Sequence, residues 1–517
     1  MSTLGATAIL AALLAQASGN HIHATVREIR LDGRRDRISL RDVDGDGRAE
    51  MVATTVRTIP FKPWHLGGPF WIAPEALLSS SRGITDRSLT IYWLSADGSV
   101  NSSATARIPL DARCFALADV FDTPGLEVLV ADGRGWLAGT VARGQASIPL
   151  ERIAECPSFF DYPERDSLPE WSGIVRGRTA ATDAILSPGP AGYTVLRRAA
   201  SGYAAAEELT ILPRVQVESS ANRSFAATKS LPRPVVRDLD GDGNIDVGFA
   251  DPSGAPQMVV YLGKASGRLS EEALVRTAPS LRKELRDDNL TIEVADAADL
   301  NADGICDMLV SRTSGNIGLW ETLTTSQLVY FGRRGTTGFD PVPDQVVSSI
   351  GVSIVPRVID FNGDGKLDLL VSSYRTDLLS NVRNAVLNSA RVTYFLFLME
   401  NGKYPQNPNV ERNIDLDFKL LERGGITPRA YFDGDFDGDG IKDLLAVEEE
   451  HKIRAYRGTV QAAGVFQRAT YEFAKNPMME LDVRASNELQ IVDLDGDGRF
   501  EVVIPDNRFV VIARYQP

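Results

Sequence analysis

The chain has 517 residues, 43% hydrophobic and 24% charged, so it can bury a large core and is not a disordered polymer. Its formal net charge of −14 repels nucleic acid and anionic membrane surfaces, which sets both aside as partners. The four histidines (His21, His23, His65 and His451) are too few and too dispersed for a zinc site. Three cysteines, Cys114, Cys156 and Cys306, form neither a disulfide framework nor a metal cluster. Cys114 and Cys156 could pair in an oxidising compartment; the competing reading makes all three small buried hydrophobes.

In chain order, the first feature is the short apolar run Ala8 to Ala15 (AILAALLA), followed by small residues at Ala15 and Ala17. This is the pattern of an export signal, expected to occupy residues 1–17 and to be removed. The competing reading is a buried N-terminal helix. The run is too short to span a membrane, and no later segment reaches the ~18 apolar residues a span needs. A secreted, periplasmic or cell-surface protein is therefore expected. Next comes Ala24 to Arg30 (ATVREIR), which reads as a strand.

From there a nine-residue string recurs six times: 42–50 (DVDGDGRAE), 238–246 (DLDGDGNID), 299–307 (DLNADGICD), 360–368 (DFNGDGKLD), 435–443 (DFDGDGIKD) and 493–501 (DLDGDGRFE). A seventh copy, 119–127 (DVFDTPGLE), keeps the first and last acids and loses the middle ones. Each string lies between two short β-rich runs, and a third run follows, as in Met258 to Gly263 and Leu328 to Gly332. Copies start roughly 55 to 77 residues apart, the size of a four-stranded propeller blade with its loops. The gap between Asp119 and Asp238 is about double; Thr182 to Leu186 and Gly192 to Arg197 supply strands there without a loop, a degenerate unit.

An all-β propeller of eight blades over residues 24–517 is expected, with seven blades and an insertion over 142–230 as the alternative. The last unit has only two strands after its string, so Ala24 to Arg30 is expected to supply the outer strand and close the ring.

The string has the composition of a calcium loop. Positions 1, 3, 5 and 9 carry Asp, Asn or Glu, and position 6 is always glycine. The candidate ligands are Asp42, Asp44, Asp46 and Glu50; Asp238, Asp240, Asp242 and Asp246; Asp299, Asn301, Asp303 and Asp307. The later copies add Asp360, Asn362, Asp364 and Asp368; Asp435, Asp437, Asp439 and Asp443; Asp493, Asp495, Asp497 and Glu501. Alternating acids in a tight turn bring several oxygens to one point, and hard oxygen ligands without His or Cys select calcium. About six Ca²⁺ are expected, and their +12 would offset most of the −14. Position 2 is always apolar, which would tie the loop to the core.

These strings resemble the FG-GAP and VCBS repeats of integrin α-subunit propellers and of many bacterial extracellular proteins. The resemblance implies that each calcium loop joins the first two strands of a blade, and that the role is adhesion, ligand binding or assembly. The chain lacks G-x-S-x-G, P-loop, H-E-x-x-H and C-x-x-C signatures. A binding scaffold for protein or glycan is therefore the first reading. A calcium-dependent polysaccharide lyase, with His65 or His451 as base, is the alternative. Two long connections, near 57–87 and 374–391, lie between second and third strands, on the side away from the strings. With a shorter one they carry the candidate partner residues Trp64, His65, Phe70, Trp71, Trp320, Tyr374 and Arg375. The competing role for these insertions is to plug the central channel.

Overall fold

In a computed structural model, the structure describes residues 23–59, 84–157, 160, 167–219, 225–251, 257–277, 291–315, 323–334, 339–375, 389–417, 430–449, 452–461, 470–482 and 489–517. They form an eight-bladed β-propeller of four-stranded antiparallel sheets, and no helix occurs among the described residues.

Seven blades run their strands in sequence order. Blade 1 is Arg34–Arg41, Glu50–Ile59, Ile84–Leu94 and Val100–Ile108; blade 2 is Cys114–Ala118, Glu127–Ala131, Gly135–Gly139 and Glu151–Glu155. Blade 3, the unit without a string, is Ile174–Val175, Ala184–Gly189, Gly192–Ala199 and Gly202–Thr210. Blade 4 is Pro234–Arg237, Asp246–Ala250, Gln257–Tyr261 and Leu274–Thr277; blade 5 is Thr291–Ala298, Asp307–Ser314, Thr324–Tyr330 and Gln345–Ile350. Blade 6 is Val352–Ile359, Asp368–Tyr374, Ser389–Phe397 and Val410–Asp417; blade 7 is Ala430–Gly434, Asp443–Glu449, Lys452–Tyr456 and Met479–Asp482. Blade 8 takes Gln490–Val492, Glu501–Pro505 and Phe509–Tyr515 from the C-terminus and Ala24–Arg30 from the N-terminus. That last pairing is antiparallel from Ala24 opposite Tyr515 to Arg30 opposite Phe509. The expected closure is present, and it covers an edge that would otherwise be open to pairing.

Strand composition follows position in the blade. Second strands are packed on both faces and read as unbroken apolar runs: Glu127–Ala131 (EVLVA) and Glu501–Pro505 (EVVIP) are buried at every residue. Outer strands have one wet face and alternate, as in Val100–Ile108. The core is a ring of clusters between neighbouring blades. Val52, Ile91, Trp93, Phe115 and Val130 fill the space between blades 1 and 2; Ile29, Met51, Val503 and Ile512 fill the closing seam. Each fully buried side chain of this size contributes roughly 1.5–3 kcal/mol. Between blades 3 and 4, Trp171 stacks on Tyr193 and Tyr193 on Phe249.

Two hairpins are additional to the blades: Arg214–Ser219 with Phe225–Ser230, and Gly458–Gln461 with Thr470–Phe473. Cys114, Cys156 and Cys306 are all free thiols, the first and last buried.

Candidate metal centres

All six intact strings occupy the same junction, between the first and second strands of a blade, as does the seventh. Their shared geometry is set by position 1. In the 360–368 loop, the N–H groups of Gly363 and Gly365 donate to the two oxygens of Asp360, at 2.9 and 3.0 Å. The Asp364 N–H donates to Asn362 Oδ1 at 3.2 Å, and the Lys366 N–H to Asp364 Oδ1 at 3.0 Å. The chain thus coils tightly around one carboxylate, and position 6 is left-handed, with Gly365 at φ +82°. Position 4 is also left-handed; five copies have glycine there, while Ala302 adopts φ +61°.

Position 9 plays a different part. In every copy its carboxylate accepts the N–H of position 2: Val43 to Glu50 at 2.8 Å, Leu239 to Asp246 at 2.8 Å, Leu300 to Asp307 at 2.8 Å, and Phe361 to Asp368 at 3.0 Å. Phe436 to Asp443 at 2.8 Å and Leu494 to Glu501 at 2.9 Å complete the series. Where position 9 is Asp, its second oxygen accepts an N–H just beyond the third strand, from Gly263, Gly332, Met399 or Gly458. The acid therefore ties the loop to two strands from inside the blade, where it is buried. The position 2 side chains are buried beneath the loops, as their composition implies.

Three carboxylate oxygens lie within 4.8 Å of one another in four loops: from Asp42, Asp44 and Glu50; Asp238, Asp240 and Asp246; Asp435, Asp437 and Asp443; and Asp493, Asp495 and Asp497. No such trio occurs at 299–307 or 360–368, where Asn301 and Asn362 stand at position 3. These acidic clusters could hold a metal ion, and an all-oxygen donor set suits a hard divalent cation. The charge balance agrees. Burial first, then repulsion from neighbouring aspartates, pushes Glu50 and Asp307 up to about 7 and Asp246 and Asp368 up to about 6.

Neighbouring loops are joined. The position 8 N–H of one loop donates to position 1 or 2 of the preceding blade's loop: Ala49 to Leu494 O, Leu126 to Val43 O, Leu367 to Leu300 O, Lys442 to Phe361 O and Phe500 to Asp435 O, at 2.7–3.2 Å. Blade 3 has no metal string, yet it completes blade 2. Arg176 lies 2.9 Å from Asp119, and the Asp119 N–H donates to Asp183 Oδ2 at 2.9 Å. Sequence reading passed over Arg176 and Asp183; the retained first acid of the seventh copy was the available signal.

Of the candidate partner residues, Trp64, His65, Phe70, Trp71 and Trp320 lie outside the described residues, as do His451 and the export signal. Tyr374 ends the second strand of blade 6, half-buried and paired with Val352 and Val392; Arg375 follows it, exposed.

Residues 299–371 and 435–504 match the FG-GAP-like repeat family. No curated protein matches the sequence. Among solved structures, the chain is similar to an Agrocybe aegerita lectin that recognises non-reducing terminal N-acetylglucosamine, at 14% identity over 79% of this chain and 87% of that one, with a TM-score of 0.40. It is also similar to Drosophila Plexin A in complex with Semaphorin 1b, at 8% identity, 96% and 88% coverage and a TM-score of 0.31. A third is the exotype rhamnogalacturonan lyase YesX, at 13% identity, 95% and 76% coverage and a TM-score of 0.32. Likenesses at these scores say nothing of what this chain binds.

Proposed function

We propose that this propeller, which carries FG-GAP-like repeats, is a secreted or cell-surface scaffold that binds calcium on one face and a protein or glycan partner on the other. The observation that carries the reading is the repetition of one acid constellation at one strand junction in six blades. A lone acidic turn needs no ion; six copies with the same acid and amide spacing in sequence, five of them joined to a neighbouring loop by backbone hydrogen bonds, form a face whose charge calcium would neutralise.

The chain's own residues do most of the work. Position 1 shapes the turn and position 9 anchors it, so the clustered oxygens, of positions 1, 3 and 9 in three loops and 1, 3 and 5 in blade 8, would meet the ion from a preformed loop. Calcium would supply the missing positive charge and stiffen the rim of each blade. The connections between second and third strands emerge on the opposite face, where a rigid scaffold leaves room for recognition. Among the described residues no helix is long and apolar enough to cross a membrane.

Calorimetric titration of the metal-free protein should find about six calcium ions, and excess chelator should lower the melting temperature by several degrees. Metal that binds only the folded state stabilises it by RT ln(1 + [L]/Kd). Identical melting curves in calcium and chelator would defeat the calcium half of the reading. For the partner half, alanine at Trp64 and Trp71 should abolish capture of the partner from culture medium and leave melting unchanged; a lowered melting temperature would mean that these residues plug the ring.

A further inference from the structure

We infer that Arg457 and Arg514 are built-in counter-ions that weaken the loops of blades 7 and 8 for divalent cations relative to the loops of blades 1, 5 and 6. This rests on the calcium reading above and adds an order of affinity to it.

The distinction comes from strand register. In each blade the second and third strands pair antiparallel: Met51 with Tyr92, Val247 with Tyr261, Met308 with Tyr330, Leu369 with Phe397, Leu444 with Tyr456, and Val502 with Ala513. One step further toward the loop, each pair sets the position 9 acid beside one residue of the third strand or its end. That residue is Trp93 in blade 1, Leu262 in blade 4, Phe331 in blade 5 and Leu398 in blade 6. In blades 7 and 8 it is Arg457 and Arg514.

Those two arginines reach across the loop. Arg457 Nε lies 2.5 Å from Asp437 Oδ2, and its Nη2 lies 3.3 Å from Asp439 Oδ2. Arg514 Nη2 lies 3.0 Å from Asp495 Oδ2 and 2.5 Å from Asp497 Oδ2, while its Nε lies 3.0 Å from Glu501 Oε1. Both guanidiniums thus engage positions 3 and 5 together, with fork geometry suited to carboxylates. Blade 1 has a neutral donor in the same place: Trp93 Nε1–H donates to Asp44 Oδ2 at 3.0 Å, orienting a ligand without adding charge. Blades 4, 5 and 6 have only hydrocarbon there. Among the described residues, other cations touch the loops at fewer points, and Arg334 Nη2 donates to the Gly241 carbonyl at 3.4 Å. Lys366 contacts Asp364 alone at 3.0 Å, and Arg143 of blade 2 approaches Asp46 at 3.7 Å. Neither reaches position 3.

A divalent ion entering loop 435–443 or 493–501 must displace a guanidinium from its ligand oxygens or accept a positive charge beside it. In the loops of blades 1, 5 and 6, no guanidinium among the described residues spans positions 3 and 5, so the cost there is smaller. Blades 7 and 8 are also adjacent and include the closing seam, so their rim is held by arginine whether or not calcium is present.

The test is a calcium titration, by calorimetry and native mass spectrometry, of the full chain and of Arg457→Gln, Arg514→Gln and the double variant. The wild type should show at least three tight sites and a class of sites at least ~10-fold weaker. Each single variant should move one ion into the tight class, and the double variant two. Melting in chelator serves as the folding control; if Arg514→Gln does not fold, Arg457→Gln, whose arginine is half exposed, carries the test. Six equivalent sites in the wild type, or an unchanged weak class in Arg457→Gln, would overturn the inference and leave the calcium reading intact. Absence of any bound ion would overturn both.

Discussion

Blades 6 and 2 carry the same loop at the same junction, but only the 360–368 copy keeps Asn or Asp at positions 3 and 5, as Asn362 and Asp364. Both retain the position 9 bond: the Phe361 N–H donates to Asp368 at 3.0 Å and the Val120 N–H to Glu127 at 2.8 Å. Both bury the position 2 side chain. In blade 2, positions 3 and 5 are Phe121 and Thr123, and Thr123 Oγ1 donates to the second oxygen of Glu127 at 2.7 Å. Its first acid, Asp119, is matched by Arg176 of the next blade at 2.9 Å. The degenerate copy separates two jobs that the intact copies superimpose. The last acid serves the fold whether or not an ion binds, and in three loops it also lies in the oxygen cluster. The middle oxygens are ones proposed for the metal, and where they are gone a hydroxyl and a guanidinium keep the outer acids satisfied.

The largest expected effect breaks the fold half of that comparison. Asp368→Ala strands two buried N–H groups, of Phe361 and Met399, at ~1–3 kcal/mol each. Glu127→Ala should destabilise comparably although its loop has no acid at positions 3 and 5. Urea unfolding in chelator would measure both; a neutral Glu127→Ala would mean that the shared bond is incidental.

Asp240→Ala addresses the metal half. It should remove one ion and, at calcium a hundredfold above the dissociation constant, forfeit about 2.7 kcal/mol of metal-linked stability. In chelator the same variant should lose much less, because the repulsion it removes offsets the bond its carboxylate accepts from the Asp242 N–H at 3.2 Å.

The response to pH is smaller and opposite in sign with and without calcium. Burial, followed by nearby aspartates, raises the folded-state values of Asp307 and Asp443 to about 7, against a usual value near 4. A raised value means that the folded state holds the proton more tightly. That stabilisation is complete below about pH 4 and is lost as pH rises through about 7. Metal-free protein should therefore melt a few degrees higher at pH 5 than at pH 8. Calcium needs the deprotonated ligands, so the gap between calcium and chelator should widen over the same interval. A metal-free protein that gains stability with rising pH would contradict the assignment.

The smallest effect belongs to Ala302, which holds the left-handed position that glycine holds in the other five loops. Ala302→Gly should stabilise the protein by ~1 kcal/mol, since only the Cβ opposes that backbone. Thermal unfolding would detect it, and a loss of stability would mean that the methyl is packed.

Much of this molecule was legible from residue order alone because its signals are local. Acids alternating through an Asp-Gly turn define a loop within nine residues, and apolar runs on either side define the strands it joins. From these came eight blades, including blade 3, recognised from strand texture without a loop, and the closing of the ring by Ala24–Arg30. The hairpins at Arg214–Ser219 and Gly458–Gln461 were not anticipated, since they interrupt the repeat and share none of its signals. Tertiary structure alone decided which charges meet. Arg176 faces Asp119 across 57 residues, and Arg514 reaches Asp497 only because two strands pair in one register and not the next. Whether an acidic loop is open to a metal ion or already holds a cation depends on the residue across the hairpin, and spacing along the chain does not encode that neighbour.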